Sequence, residues 1–160
     1  MWRSLRVDLK ARKAYWQEVP PEEVAFGGRY RTGQALWERE AYRVDPLSPE
    51  NPLVFAVGPL AGTGFSNANR TSVGTRSPLT LGIKEANGGG TFGYALGQLR
   101  LAHLVLEGES PGWVVLRLTR SGEVHFDPAQ DLLGLGNFEA ARRLFAAYGQ
   151  RIAFALLGPV

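Results

Sequence analysis

The sequence predicts an α+β fold in which strands outnumber helices. Short apolar segments of strand length recur along the chain, and turns rich in Gly, Pro and Ser separate them. Only a few segments carry helical spacing, and the clearest lies near the C-terminus.

Leu5, Val7 and Leu9 alternate with Arg6, Asp8 and Lys10, the period of a half-buried strand. Ala14 to Val19 is a second strand, joined to the first through Ala11–Lys13 as a hairpin. Pro20 and Pro21 stop it, and Pro21, Glu22 and Glu23 suit the first turn of a short helix, where acidic groups meet the positive helix end. Gly27-Gly28 ends that piece. Gly33 to Tyr42 reads as a helix with Leu36 and Trp37 as core contacts. Residues 45–52 form a proline-rich loop, and Leu53 to Val57 is a continuous apolar run that fits a strand buried on both faces.

Short strands follow at Thr71–Thr75 and Leu79–Lys84, then a helix over Phe92–Arg100. Leu101–Glu107, Trp113–Thr119 and Glu123–Phe126 read as three strands, with turns at Ser110-Pro111-Gly112 and Arg120-Ser121-Gly122. Asn137 caps an amphipathic helix through Tyr148, its apolar face made of Phe138, Ala141, Leu144, Phe145 and Tyr148. Gly149 stops that helix, and Ile152–Leu157 reads as a last strand. No repeat or low-complexity tail is evident, and 160 residues suit one domain spanning 1–160.

Composition narrows the function. The 18 basic and 15 acidic residues give a net charge of +3 without a block of like charge, which argues against a nucleic-acid partner. With no cysteine, the chain has no disulfide and no thiolate ligands for zinc or an iron–sulfur cluster. His103 and His125 lack a second histidine at ligand spacing. His103 reads as a structural residue in an apolar strand and His125 as a surface one. The four tryptophans are dispersed, which favours core or interface roles over a stacking platform. No apolar run is long enough to span a bilayer and the N-terminus lacks a leader's apolar region, so the expectation is a cytoplasmic protein with no membrane partner.

Between Gly58 and Gly93 the chain holds nine glycines, and Asn87-Gly88-Gly89-Gly90 lies directly before the helix at Phe92. Glycines let backbone approach a ligand closely, and a helix N-terminus favours an anion, so phosphate is the natural guest. Arg70 and Arg76 lie upstream and offer charge-assisted bonds to it. The local pattern fits plain turns in a β-rich fold better than it fits phosphate binding. It matches neither a P-loop nor a dinucleotide fingerprint. Glu85, beside Lys84 and near Asn87, reads as a solvated strand residue ahead of a general acid.

Several motifs occur in a fixed order: Asp45-Pro-Leu-Ser-Pro-Glu-Asn51, Gly58-Pro-Leu-Ala-Gly-Thr63, Arg70, Ser77-Pro-Leu-Thr80, Ala86-Asn-Gly-Gly89 and Phe92-Gly93. Leu5–Leu9, Val105-Leu-Glu-Gly108 and Gly158-Pro159 continue the series. In order and spacing the chain resembles the N-terminal domain of the tungsten-pterin aldehyde:ferredoxin oxidoreductases. The resemblance implies a β-sheet base, two packed and mainly antiparallel sheets with a few short helices, lying under the cofactor. That cofactor is tungsten held by the dithiolenes of two pterins, with magnesium bridging their phosphates. It implies further that Arg70 contacts a pterin, that the Asn87 backbone carbonyl helps hold magnesium, and that Gly88, Gly89 and Gly90 bring backbone to the cofactor, with Arg76 a further candidate. The family oxidises aldehydes to carboxylic acids and passes electrons through a 4Fe–4S cluster to ferredoxin.

The chain also departs from the family pattern. The cluster cysteines and the second pterin loop belong to later parts of such enzymes. Gly27-Gly-Arg-Tyr-Arg31, Ala95-Leu-Gly97 and Leu99-Arg100-Leu-Ala102 replace the family's usual residues. The expectation is therefore a cofactor-binding domain or small subunit, without an iron–sulfur cluster and incomplete for catalysis alone, that takes cofactor with a partner chain carrying the cysteine-bearing domains. The alternative is a stand-alone structural or interaction protein that kept the fold, lost the cofactor and self-associates. A small-molecule phosphate binder is a third reading.

Overall fold

Alternation at the N-terminus produces β1 (Arg3–Asp8), in which Leu5 and Val7 are fully buried, and β2 (Lys13–Glu18) folds back on it in antiparallel register. The computed structural model describes residues 1–158, divided into two compact units, Met1–Pro111 and the residues from Gly112 onward. In the first unit follow α1 (Arg29–Glu38), β3 (Leu53–Val57), β4 (Thr71–Arg76), β5 (Ile83–Gly88), α2 (Thr91–Gln98) and β6 (Leu101–Glu107). The strands form one sheet in the order β2-β1-β6-β3-β4-β5. Among the described residues, the β1–β6 pairing is parallel and the others are antiparallel. The second unit holds β7 (Val114–Leu118), β8 (Val124–Pro128) and α3 (Asn137–Tyr148), with β7 and β8 paired as a two-stranded sheet. Sheet-rich α+β is thus the observed class.

The register draws one line of neighbours across the large sheet: His103 opposite Ala56, Ala56 opposite Ser72, Ser72 opposite Asn87. Ala35, Leu36 and Ala41 of the α1 segment close over Val54 and Val105 to form a buried cluster. Gly74 makes that contact close, because a Cβ there would strike the Thr32 methyl and lie 3.1 Å from Leu36.

α1 begins and ends earlier than the expected span of 33–42. It starts from Gly28, in the left-handed region at φ 51°, and ends where Glu40 turns left-handed at φ 49° while the Ala41 amide bonds the Leu36 carbonyl at 3.0 Å. That is a glycine-type helix stop made by a glutamate, so composition does not announce it. The shift overturns the core assignment of Trp37, which is 70% exposed and stacks on Tyr42 at 5.0 Å, while Leu36 is buried as expected. β5 also starts later than expected. Ser77 accepts bonds from the amides of Leu79 and Thr80 and, with Leu81 left-handed, spends residues 77–82 in a turn.

In the second unit, Asp127 receives Arg117 Nε at 2.6 Å and the Tyr148 hydroxyl at 2.9 Å, tying α3 to the hairpin. Gly136 rather than Asn137 occupies the cap of α3, and no side chain caps it. Phe138 is 96% exposed, whereas Ala140 and Leu144 carry the buried stripe. The expected strand over 152–157 does not form. Phe154 instead packs edge-on against Phe145 at 5.3 Å, so that apolar run covers the helix rather than pairing. Pro159 of the Gly158-Pro159 motif lies outside the described residues. Among the described residues no helix is long and apolar enough to cross a membrane.

Helix α2 is held by glycines. A Cβ at Gly97 would collide with the Ala61 carbonyl, and one at Gly93 would collide with the Asn69 carbonyl. Gly62, left-handed at φ 78°, meets the same helix from the other side, and a Cβ there would lie 2.6 Å from the Gln98 amide. The neighbours are backbone and cannot move aside. Gly97→Ala is expected to lower stability by about 1–3 kcal/mol, read as a lower urea midpoint with an unchanged slope.

Candidate functional site

Arg70 stands immediately before β4, and Asn87 is the penultimate residue of β5. Antiparallel register sets Thr71 opposite Gly88, so the Arg70 side chain falls across the end of the neighbouring strand. Its Nε donates to the Asn87 side-chain oxygen, and its Nη2 donates to the Asn87 backbone carbonyl at 3.3 Å. Asn87 and Gly88 therefore complete a strand rather than open a loop; only Gly89 and Gly90 remain between β5 and α2. Arg70 and residues 87–90 are all exposed.

The structure does not bring Arg76 to this place. It ends β4 opposite Ile83, at the far end of the same strand pair. Its guanidinium donates to the carbonyls of Leu81, at 2.9 Å, and Val44, where it holds a turn.

Glycine serves two different purposes in this region. At 74, 93 and 97 a side chain would meet protein atoms. At Gly88 a Cβ would meet nothing within 4 Å, and at Gly89 only the Arg70 guanidinium at 4.0 Å. Neither residue needs left-handed backbone, whereas Gly90 does at φ 122°. Gly58 and Gly64 are equally open. The open space beside Gly88 and Gly89 is bordered by the Arg70 guanidinium. Gly90 also serves as the cap of α2 without supplying any side-chain bond, so amides of the first turn remain available.

A hydrogen-bond network supports the edge from beneath. Glu85, on the same face of β5 as Asn87, accepts Ser72 Oγ at 2.7 Å and Arg29 Nε at 3.1 Å. The Ser72 hydroxyl lies 2.9 Å from that of Thr32 on α1. Glu85 is thus engaged from two sides and is not an idle acid. Its carboxyl lies below the ordinary 4.5, chiefly through the Ser72 bond and further through Asn87 and Arg29. The roles of Arg29, Ser72 and Thr32 were invisible in the sequence, since only the strand register brings them to Glu85. Among the described residues no three His, Cys, Asp or Glu groups gather to hold a metal ion. The oxygens at this edge are the Asn87 carbonyl and side-chain oxygens; a carbonyl has two lone pairs, and the Arg70 bond to it uses one.

Residues 4–160 match the family model described as the aldehyde ferredoxin oxidoreductase N-terminal domain. A tungsten-containing aldehyde ferredoxin oxidoreductase of Pyrococcus furiosus is 46% identical over 120 residues, covering 72% of this chain and 20% of that protein. A relative of the same name from Pyrococcus abyssi is 36% identical over 118 residues, covering 73% and 19%. Among solved structures, the active-site complex BamBC of benzoyl coenzyme A reductase with 1,5-dienoyl-CoA superposes with a TM-score of 0.86 at 32% identity, over 93% of this chain and 23% of that one. The chain spans about a fifth of the length of the curated relatives it matches.

Because the Glu85 carboxyl is depressed in the folded state, its contribution to stability is present above pH 4.5 and is lost as pH falls through the folded value. Glu85→Gln is therefore expected to cost about 1–2 kcal/mol at pH 7. The gap to the unsubstituted chain should close at acid pH, as followed by thermal unfolding across pH.

Proposed function

Since this chain belongs to the family of the aldehyde ferredoxin oxidoreductase N-terminal domain, we propose that it is the cofactor-binding base of a tungstopterin oxidoreductase and that the Arg70–Asn87–Gly90 edge faces the pterin phosphates. The observation that carries this reading is the pair of open glycines, 88 and 89, beside the exposed Arg70 guanidinium. Packing and backbone conformation leave those two glycines unexplained. Close approach of a group from outside the chain accounts for them.

The residues suit such a group. Arg70 spends Nε and Nη2 on Asn87 and keeps further N–H donors for a phosphate oxygen. Asn87 holds that guanidinium at the strand end, so little side-chain entropy remains to be lost on binding. The first amides of α2 add a positive field at the same edge. The Asn87 carbonyl would give magnesium its second lone pair. Arg76, bonded to carbonyls at the opposite strand end, takes no part in this proposal. When bound, the tungsten-pterin group supplies two-electron oxidation of an aldehyde to a carboxylic acid with ferredoxin as acceptor. This chain's own share is to bind and orient it. The rest of the enzyme, whether continuous with this segment or a separate chain, would supply the cluster and close the site.

The test is to produce the chain together with the remaining domains and measure bound tungsten and pterin. Arg70→Ala is expected to reduce both roughly ten- to a hundredfold with circular dichroism unchanged, because Arg70 is exposed and, among the described residues, its side chain bonds only Asn87. Arg70→Lys should recover part of the loss, keeping the charge but not the fork. A complex that never acquires cofactor, or an Arg70→Ala complex loaded like the unsubstituted one, defeats the reading.

A further inference from the structure

On the α1 side of the large sheet, between the β1–β2 hairpin, β6 and α1, lies a cavity of about 490 Å³, a size typical of small-ligand sites. His103 stands on its β6 wall beside Ser4, and among the described residues its buried Nδ1 has no hydrogen-bond partner. An imidazole nitrogen left this way in a polar cavity is a cost the fold does not recover internally.

The inner wall is cationic. Arg31 is only 3% exposed, with its guanidinium bonded to the carbonyls of Phe26, at 2.6 Å, and Glu23. The carboxylate nearest to it, that of Glu23, is 3.6 Å away and 36% exposed. Arg39 and Arg6 share Glu107, at 2.5 and 3.2 Å, and Arg39 also faces Glu38 at 4.0 Å. Arg6 also lies over the Tyr15 ring at 4.2 Å. Of the acids that line the cavity, Glu18 and Glu38 are solvent-exposed and Glu23 is half-buried. Arg31 is the deepest of the three guanidiniums, with Arg39 25% and Arg6 42% exposed. His103 senses this: its pKa falls to about 4 through burial first, then through Arg31 and Arg39, and no carboxylate acts in the other direction.

We infer that this cavity is a second binding site, for a small oxyanion such as a carboxylate or phosphate, held by Arg31, Arg39 and Arg6 with His103 as an additional donor. Five N–H donors per guanidinium exceed the bonds present here, so each arginine keeps donors to offer. An oxyanion would offset the buried charge of Arg31 and give His103 an acceptor at once. A metal ion fits poorly beside three guanidiniums and a single imidazole, and an apolar ligand would strand the charges. The site is three strands from Asn87 along the sheet, roughly 14 Å at normal strand spacing. It does not depend on the pterin reading.

The chain holds two histidines, so histidine resonances report on the site directly. His103 and His125 are followed by NMR of the 160-residue chain, at constant ionic strength, during additions of inorganic phosphate, sodium acetate or sodium chloride. At pH 7 phosphate or acetate is expected to move the His103 signals saturably and leave those of His125 in place. The His103 pKa should rise by about one unit in saturating anion, which means about tenfold tighter binding to the protonated form. The stronger of the two anions identifies the ligand class. Arg6→Gln, a substitution at the half-exposed wall, should weaken binding at least several-fold, while Arg70→Ala should leave the response intact. Absence of a saturating His103 shift with either anion, a shift that His125 shares, or the same shift with chloride overturns the inference.

Discussion

The close approach of α2 to the loop before β4 is the constraint on which the first unit depends. Gly62, Gly93 and Gly97 let backbone lie on backbone there, against Gln98, Asn69 and Ala61 in turn. The Gly62 amide is then fixed by the Asn69 side chain at 2.8 Å. This contact decides where α2 ends, and a single left-handed residue, Arg100, passes the chain straight into β6. β6 has to enter the sheet between β1 and β3, joining the N-terminal hairpin to the β3–β5 meander. Two segments far apart in sequence become one sheet because of a strand placed by a helix that glycines hold close. A methyl group at Gly97 would displace this strand's only covalent lead-in.

The same contact fixes the start of α2, and with it the Gly89–Gly90 link and the end of β5. The edge is then stiffened from the other face of the sheet. Thr32 on α1 meets Ser72, Ser72 donates to Glu85, and Glu85 stands two residues before Asn87 on the same side of the strand. Arg29 reaches the other Glu85 oxygen. Exposed side chains normally sample many rotamers, but Arg70 leans on an asparagine whose strand is tied to the buried core by this network. Preorganisation of an exposed donor is what a binding surface requires. Nothing in the packing of the core alone asks for it.

Much of this was legible in the sequence. Period-two alternation marked β1, the apolar run 53–57 marked β3, and the motif order brought out Arg70 and Asn87–Gly90 as one segment. The failures share a physical cause, a local signal replaced by tertiary geometry. Glu40 ends α1 in a conformation usually left to glycine, so the helix and its exposed Trp37 were set one turn too late. A serine turn at Ser77 delayed β5 and converted part of the expected glycine loop into strand. The apolar run after Gly149 had the composition of a strand but found a helix to cover. Arg70 and Arg76 lie six residues apart on one extended segment, roughly 20 Å, which spacing alone does not separate from a shared site. His103 read correctly as part of an apolar strand, yet its surroundings come from α1 and the N-terminal hairpin, which no local pattern could supply.

The arginines of the first unit illustrate how differently one residue type is used. Arg76 spends its guanidinium on two carbonyls, Leu81 in its own turn and Val44 in the segment after α1. Arg70 is exposed and braced, with donors to spare at an edge lined by open glycines. Arg31 is buried, with its nearest carboxylate 3.6 Å away and half turned to solvent. Burial of a guanidinium is costly, and desolvation lowers its pKa even though Glu23 acts in the other direction. A purely structural arginine would be expected to follow the pattern of Arg76, in which the bonds made account for the position occupied. Arg70 and Arg31 depart from that pattern in opposite ways, one by spare donors at the surface and one by a charge held inside. In both, the guanidinium carries more N–H donors than the bonds made within the fold.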